Sequence, residues 1–193
     1  MSQTVITEQE RALIEHCKSP EIAILRHLDE KLVGQGVLLG CGDADRMIEG
    51  FDRHRGILRD KGIPDRIHPI LVNGGPANFW QYPPTSVIGA FIIQNIFEGL
   101  ELKEMDRLIN YGHWPCGKAR EQGLGLLDVL QSLSIVKRHV KGLDASVEVA
   151  LYLHIDWLCG RMNTYHVNHP NLLKHLNDLV QKFPSCTKFS IAA

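Results

Sequence analysis

Apolar positions recur along the chain with two periods, and the changes of period divide it into elements. Residues 6–32 carry apolar side chains at helical spacing, interrupted at Ser19-Pro20, which predicts two helices with the second starting at the proline. Val37, Leu38 and Leu39 then form a short continuous apolar run between glycines, the pattern of a strand covered on both faces of a parallel sheet. Cys41 stands at its carboxyl end. RMIEGFDRHRGILRDKG predicts a helix with weak points at Gly50 and Gly56, and RIHPILVNGG predicts a second buried strand, made irregular by Pro69 and closed by a glycine turn. From Thr85, TSVIGAFIIQNIFEGL is apolar around much of a helical circumference and predicts a deeply packed helix. EMDRLINYGH predicts a weaker strand whose end carries His113. After Cys116, LLDVLQSLSIVKRHV reads as a helix, while SVEVALYLHIDW alternates Val147, Val149, Leu151, Leu153 and Ile155 as a half-exposed strand would. NLLKHLNDLVQKF closes the chain as an amphipathic helix.

Strands that alternate with helices predict an α/β fold with a mainly parallel central β-sheet flanked by helices. A helical arm over residues 1–33 precedes it, within a single domain spanning 1–193. A chain of 193 residues that is 44% hydrophobic suits one core. In such sheets reactive groups gather beyond the carboxyl ends of the strands, where Cys41 and His113 both fall.

The charge balance narrows the partners. A net charge of -1 gives no footing for nucleic acid or an anionic membrane, so a small molecule is the expected partner. The stretch MSQTVITEQERALIEH lacks the basic start and apolar run of a signal peptide, and no apolar segment approaches the ~20 residues of a membrane span. A soluble cytoplasmic protein is the expectation. Five cysteines, widely spread in a chain of this size, point to metal binding or burial rather than a disulfide framework.

YGHWPCGKAR places His113 and Cys116 three residues apart on a turn made by Gly112, Pro115 and Gly117. Together with Cys41 they offer two thiolates and an imidazole, a donor set suited to zinc that leaves one coordination position open. A lone HxxC equally describes buried cysteines and a hydrogen-bonded loop histidine, and by itself favours that reading. Asp43, two residues after Cys41, adds an acid beside whatever such a metal would bind.

CxD at one strand end, followed about seventy residues later by GHxxCG at another, resembles the β-class carbonic anhydrases. The resemblance extends over most of the chain, through the NGGPANF turn and LHIDWLCGRM. It implies zinc held by Cys41, His113 and Cys116, and reversible hydration of CO2 to bicarbonate by zinc-bound hydroxide. It also implies a homodimer, or a dimer of dimers, whose N-terminal arm embraces the neighbour. Asp43 would orient the attacking oxygen, with Phe79, Trp80 and Trp114 as lining or as ordinary core.

The family's first motif runs CxDxR, its arginine pairing with the aspartate. Here Asp45 takes the arginine position and Arg46 follows one residue later, so Arg46 becomes the candidate partner and Asp43 a candidate fourth zinc ligand in a closed state. Arg53 or Arg55 offers another cation. Two alternatives therefore stand beside the hydratase: a zinc-dependent hydrolase of carbonyl sulfide or carbon disulfide, and a catalytically silent zinc-binding homologue with a regulatory or interaction role. Cys17, Cys159 and Cys186 are expected to pack, and His154 to be a satisfied core residue. His139, His166, His169 and His175 are expected on the solvated surface.

Overall fold

A computed structural model describes residues 5–28, 33–157 and 161–188, with the backbone alone at 44–46. The chain opens with α1 (Glu8–Lys18), started by a reciprocal cap: the Glu10 amide donates to Thr7 Oγ1 at 3.2 Å and the Thr7 amide to Glu10 Oε2 at 2.7 Å. Its helical spacing buries Leu13, Ile14 and Cys17 completely against the rest of the chain. Ser19-Pro20 ends this helix instead of starting another, and the described part of the predicted second helix is a turn leading into the edge strand β1 (Leu25–His27).

Next come β2 (Gly36–Cys41), α2 (Ala44–Asp60) and β3 (Ile67–Val72), followed by a 3-10 turn at Gly75–Ala77, a short α3 (Asn78–Gln81) and α4 (Val87–Lys103). The second half holds β4 (Arg107–Trp114), α5 (Gly117–Glu121), α6 (Leu126–Leu143), β5 (Glu148–Asp156), β6 (Met162–Val167) and α7 (His169–Lys182), then a 3-10 turn at Pro184–Cys186. The six strands form one sheet in the order β1-β6-β5-β4-β2-β3. β5, β4, β2 and β3 run parallel, whereas β6 and β1 are antiparallel additions at one edge. The architecture is therefore α/β with a mostly parallel sheet, and no helix among the described residues is long and apolar enough to cross a membrane.

Burial explains where the pattern reading departs from the structure. β2 is buried along its whole length, as its apolar run requires. β3 is the opposite edge of the sheet and half-exposed, which is where a strand tolerates Pro69. β5, predicted half-exposed, is central and buried, because its intervening Tyr152 and His154 also lie under cover. On that face Tyr152 stacks on Tyr111 with ring centroids 5.0 Å apart, and His54 of α2 meets both edge-on. α4 packs Ile92, Ile93, Ile96 and Leu100 inward but leaves Val87 and Phe91 in solvent, so it is one-sided where the composition predicts deep packing. β2 and β4 are adjacent and parallel, so their carboxyl ends finish side by side.

Candidate metal centre

Both carboxyl ends carry donor groups. Cys41 is the last residue of β2; His113 is the next-to-last of β4, and Cys116 caps α5 directly after it. Their ligand atoms all lie within 4.8 Å of one another, and all three residues are buried. The distance along the chain is closed by strand pairing, since Val37, Leu38 and Leu39 register with Leu108, Ile109 and Asn110.

The donor set fits zinc on an independent observation. Both ring nitrogens of His113 are buried with no hydrogen-bond partner, a costly state for an imidazole unless an ion takes one of them. The two sulfurs behave as one unit. The Cys41 thiol is held below its ordinary value, by Cys116 first and with the attraction of His113, against the opposing effect of burial. Cys116 is pushed up, by its contact with Cys41 first and then by its own burial, so Cys41 is the readier of the two to lose its proton, and a bound cation would favour loss of both.

A turn that the sequence marks only as glycine-rich completes the support. The Gly74 amide donates to Cys41 Sγ at 3.1 Å, which stabilises charge on that sulfur and fixes its direction. Gly74 and Gly75 have φ of 89° and 52°, and a β-carbon on Gly75 would sit 2.7 Å from the Cys41 nitrogen. Asn78 ties the turn shut, donating from Nδ2 to Asn73 O at 2.6 Å and to Gly75 O at 3.2 Å. The motif NGGPAN was therefore the available signal for Gly74, Gly75 and Asn78.

Asp43 stands at the N-cap position of α2, without a side-chain capping bond, just beyond Cys41, and lines two cavities that also reach Cys41. Arg46 and Asp45 lie in the first turn of α2, with side chains outside the described residues. Arg55 pairs with Asp65 at 2.7 Å, and Arg53 is exposed on the same helix. Phe79 and Trp114 belong to the core. Cys17 and Cys186 are buried, and Cys159 lies outside the described residues. His154 is satisfied, its Nδ1 meeting Thr164 Oγ1 at 2.9 Å. Two histidines expected at the surface are part of the structure instead. His169 Nε2 meets Ser134 Oγ at 2.8 Å, and His166 packs edge-on against Tyr152.

Neither a protein-family model nor a curated protein matches the sequence. Solved structures similar to it include the β-carbonic anhydrase CafD of the filamentous fungus Aspergillus fumigatus, at 14% identity and TM-score 0.44, covering 75% of this chain and 99% of that one. A carbonic anhydrase from Streptococcus mutans is similar at 13% identity and TM-score 0.40, over 85% of this chain and all of that one (100%). A tetrameric β-carbonic anhydrase of Sordaria macrospora shares 14% identity at TM-score 0.35, over 80% and 88% of the two chains. With scores this low, the weight falls on the site's own geometry.

Proposed function

We propose that this chain is a divergent, β-carbonic-anhydrase-like zinc lyase that hydrates CO2 reversibly to bicarbonate. The observation that carries the reading is the convergence of Cys41, His113 and Cys116 within 4.8 Å, buried, with His113 unpartnered. Cys41 Sγ, Cys116 Sγ and one His113 nitrogen would hold the ion and leave one position open. Bound there, zinc supplies a Lewis acid that brings the ionisation of water near neutrality; carbonic anhydrase is the standard example of this effect.

The chain's own residues then have distinct tasks. Asp43, at the junction of β2 and α2, accepts the proton-bearing side of the reacting water on a carboxylate oxygen and so aims a lone pair at the substrate carbon. Arg46, one residue beyond its place in the family motif, is assigned as the cation that holds Asp43 in that role. The Gly74 amide keeps Cys41 directed inward. A reducing compartment such as the cytoplasm suits a site that needs two free sulfurs. Assembly into dimers, or dimers of dimers, belongs to the same reading, and the exposed Val87 and Phe91 on α4 supply an apolar face for it.

Stopped-flow hydration of CO2 by zinc-loaded protein between about pH 7 and 9 tests this, the window in which such a water ionises. A rate above buffer that rises with pH supports it; a rate equal to buffer removes the hydratase. A second reading, hydrolysis of carbonyl sulfide or carbon disulfide, is favoured by the apolar cavity that adjoins Asp43, and sulfide release distinguishes it. The silent-homologue reading draws on Asp45 in the arginine position. It predicts that zinc binds and neither substrate turns over.

A further inference from the structure

The metal centre stands between two unlike cavities. One, of about 390 Å3, is polar and open, with Asn73, Lys118 and Glu121 in its walls beside Cys41, Asp43 and Cys116. The other, of about 280 Å3, lies between α2 and the strands β2 and β3, walled by Leu38, Met47, Ile48, Phe51, Pro69 and Leu71. Cys41 and Asp43 line both, and Asp43 is the one charged side chain among the described residues of the apolar cavity. Ile48 and Leu71 are 56% and 53% exposed, so they form a rim at which the apolar cavity meets solvent.

Size and chemistry select the occupant. A three-atom molecule such as carbonyl sulfide can enter but leaves most of this volume unfilled, and the volume approaches the lower end of sites for larger ligands, roughly 300 Å3. Water would find polar partners at the Asp43 end only, so the cavity favours an apolar guest. An anion would have to give up its hydration against these apolar walls, which disfavours it. We infer that this cavity binds an uncharged, largely apolar molecule of about ten non-hydrogen atoms, of the size of an aryl alcohol, whose hydroxyl donates to the Asp43 carboxylate.

The inference rests on the proposed function only in naming that molecule a substrate; occupancy of the cavity needs neither zinc nor turnover. The polar cavity on the far side of Cys41 would then serve water and charged products, separating their path from that of the apolar reactant.

Benzyl alcohol is the probe, titrated into the full chain with and without zinc and read by ligand-observed NMR, with benzoate as its anionic counterpart of similar shape in the zinc-free form. The expected result is benzyl alcohol binding in both forms, with benzoate weaker by at least about tenfold in the zinc-free protein. Leu71→Trp, on the exposed rim of an edge strand, should fill the entrance and weaken benzyl alcohol by about tenfold; Ile48→Trp replaces it should that variant fail to fold. Absence of benzyl alcohol binding, equal binding of benzoate, or indifference to both rim variants overturns the inference. Zinc content and CO2 hydration measured on the same samples keep the two claims apart. Absence of either with benzyl alcohol binding intact overturns the proposed function alone, while hydration without benzyl alcohol binding overturns the cavity's role alone.

Discussion

Arg120 of α5 donates to Glu10 of α1 at 3.1 and 3.3 Å across the two carboxylate oxygens, joining the N-terminal helix to the segment that carries Cys116. The same guanidinium group donates to Val5 O at 2.9 Å and lies 5.1 Å from the centre of the Trp114 ring. Since Trp114 lies between His113 and Cys116, one side chain braces both the N-terminal helix and the loop that carries two of the candidate ligands. Glu10 is only 7% exposed, so this pair is shielded more than a surface ion pair, and removing one partner strands the other. Glu10→Gln should cost about 1–2 kcal/mol, lowering Tm by roughly 2–8 °C for a chain of this length. A double-mutant cycle with Arg120→Gln, followed by denaturant unfolding, should return a coupling of about 1 kcal/mol; additivity would show that the contact contributes nothing.

Gly75→Ala tests the turn behind Cys41. An alanine there takes a left-handed backbone conformation, at about 1–2 kcal/mol, and drives its β-carbon into the backbone of Cys41. Both stability in urea and zinc affinity should fall, stability by about 2–4 kcal/mol in all. Gly56→Ala, in α2 with open space around it, should be neutral or slightly stabilising in the same assay.

Removing the metal should be felt by the whole fold, because the ligands come from separate strands. A strong chelator should lower Tm by roughly 8–16 °C if zinc had been present at a thousandfold its dissociation constant, a contribution of about 4 kcal/mol. Cys41→Ser, His113→Gln and Cys116→Ser should each abolish stoichiometric zinc and the chelator's effect together. Retention of that effect in these variants would place the metal elsewhere.

Much of this site was legible in the sequence, and the reason is local. The apolar run before Cys41 specifies a buried strand that ends at a thiol, and GHWPCG fixes two donors on one turn irrespective of the rest of the fold. The departures are equally physical. Leu25–His27 is too short to show a period, so it was hidden under a helical reading that Ser19-Pro20 encouraged. The burial of β5 depends on Tyr111, His54 and Thr164 meeting Tyr152 and His154, contacts made across elements that no periodicity encodes. MNTYHV mixes polar and apolar residues without alternation, so no period in the sequence marks β6. The amide of Gly74 on Cys41 was invisible because backbone donors leave no mark in residue type.

Asp43→Ala should retain one zinc and lose about a hundredfold or more of any hydration or hydrolysis, the usual size of a lost proton-positioning group. Zinc measured by mass spectrometry and turnover measured on the same sample check it. Unchanged turnover would remove Asp43 from the chemistry, while loss of zinc would make it a ligand.

Acid should destabilise the fold through the half-buried His169 and the fully buried His54. His169 is pushed down to about 4, by burial first and then by Lys137 and Arg138, and burial lowers His54 as well. The folded state therefore prefers the neutral imidazoles. Their stabilisation is complete above the ordinary value near 6.5 and is lost as pH falls from there toward about 4. With its solvent exposure allowed for, His169 accounts for on the order of 1 kcal/mol, or roughly 2–4 °C in Tm. Tm should be flat above pH 7 and decline below it, and His169→Gln should flatten part of that decline. An unchanged slope would assign the acid sensitivity to other groups.

X-ray absorption at the zinc edge of the loaded protein reads the proposed centre directly. The donors brought together here predict one zinc per chain with two sulfurs at about 2.3 Å and a histidine nitrogen at about 2.0 Å. Protein that takes up no zinc, or zinc surrounded only by nitrogen and oxygen, would contradict it.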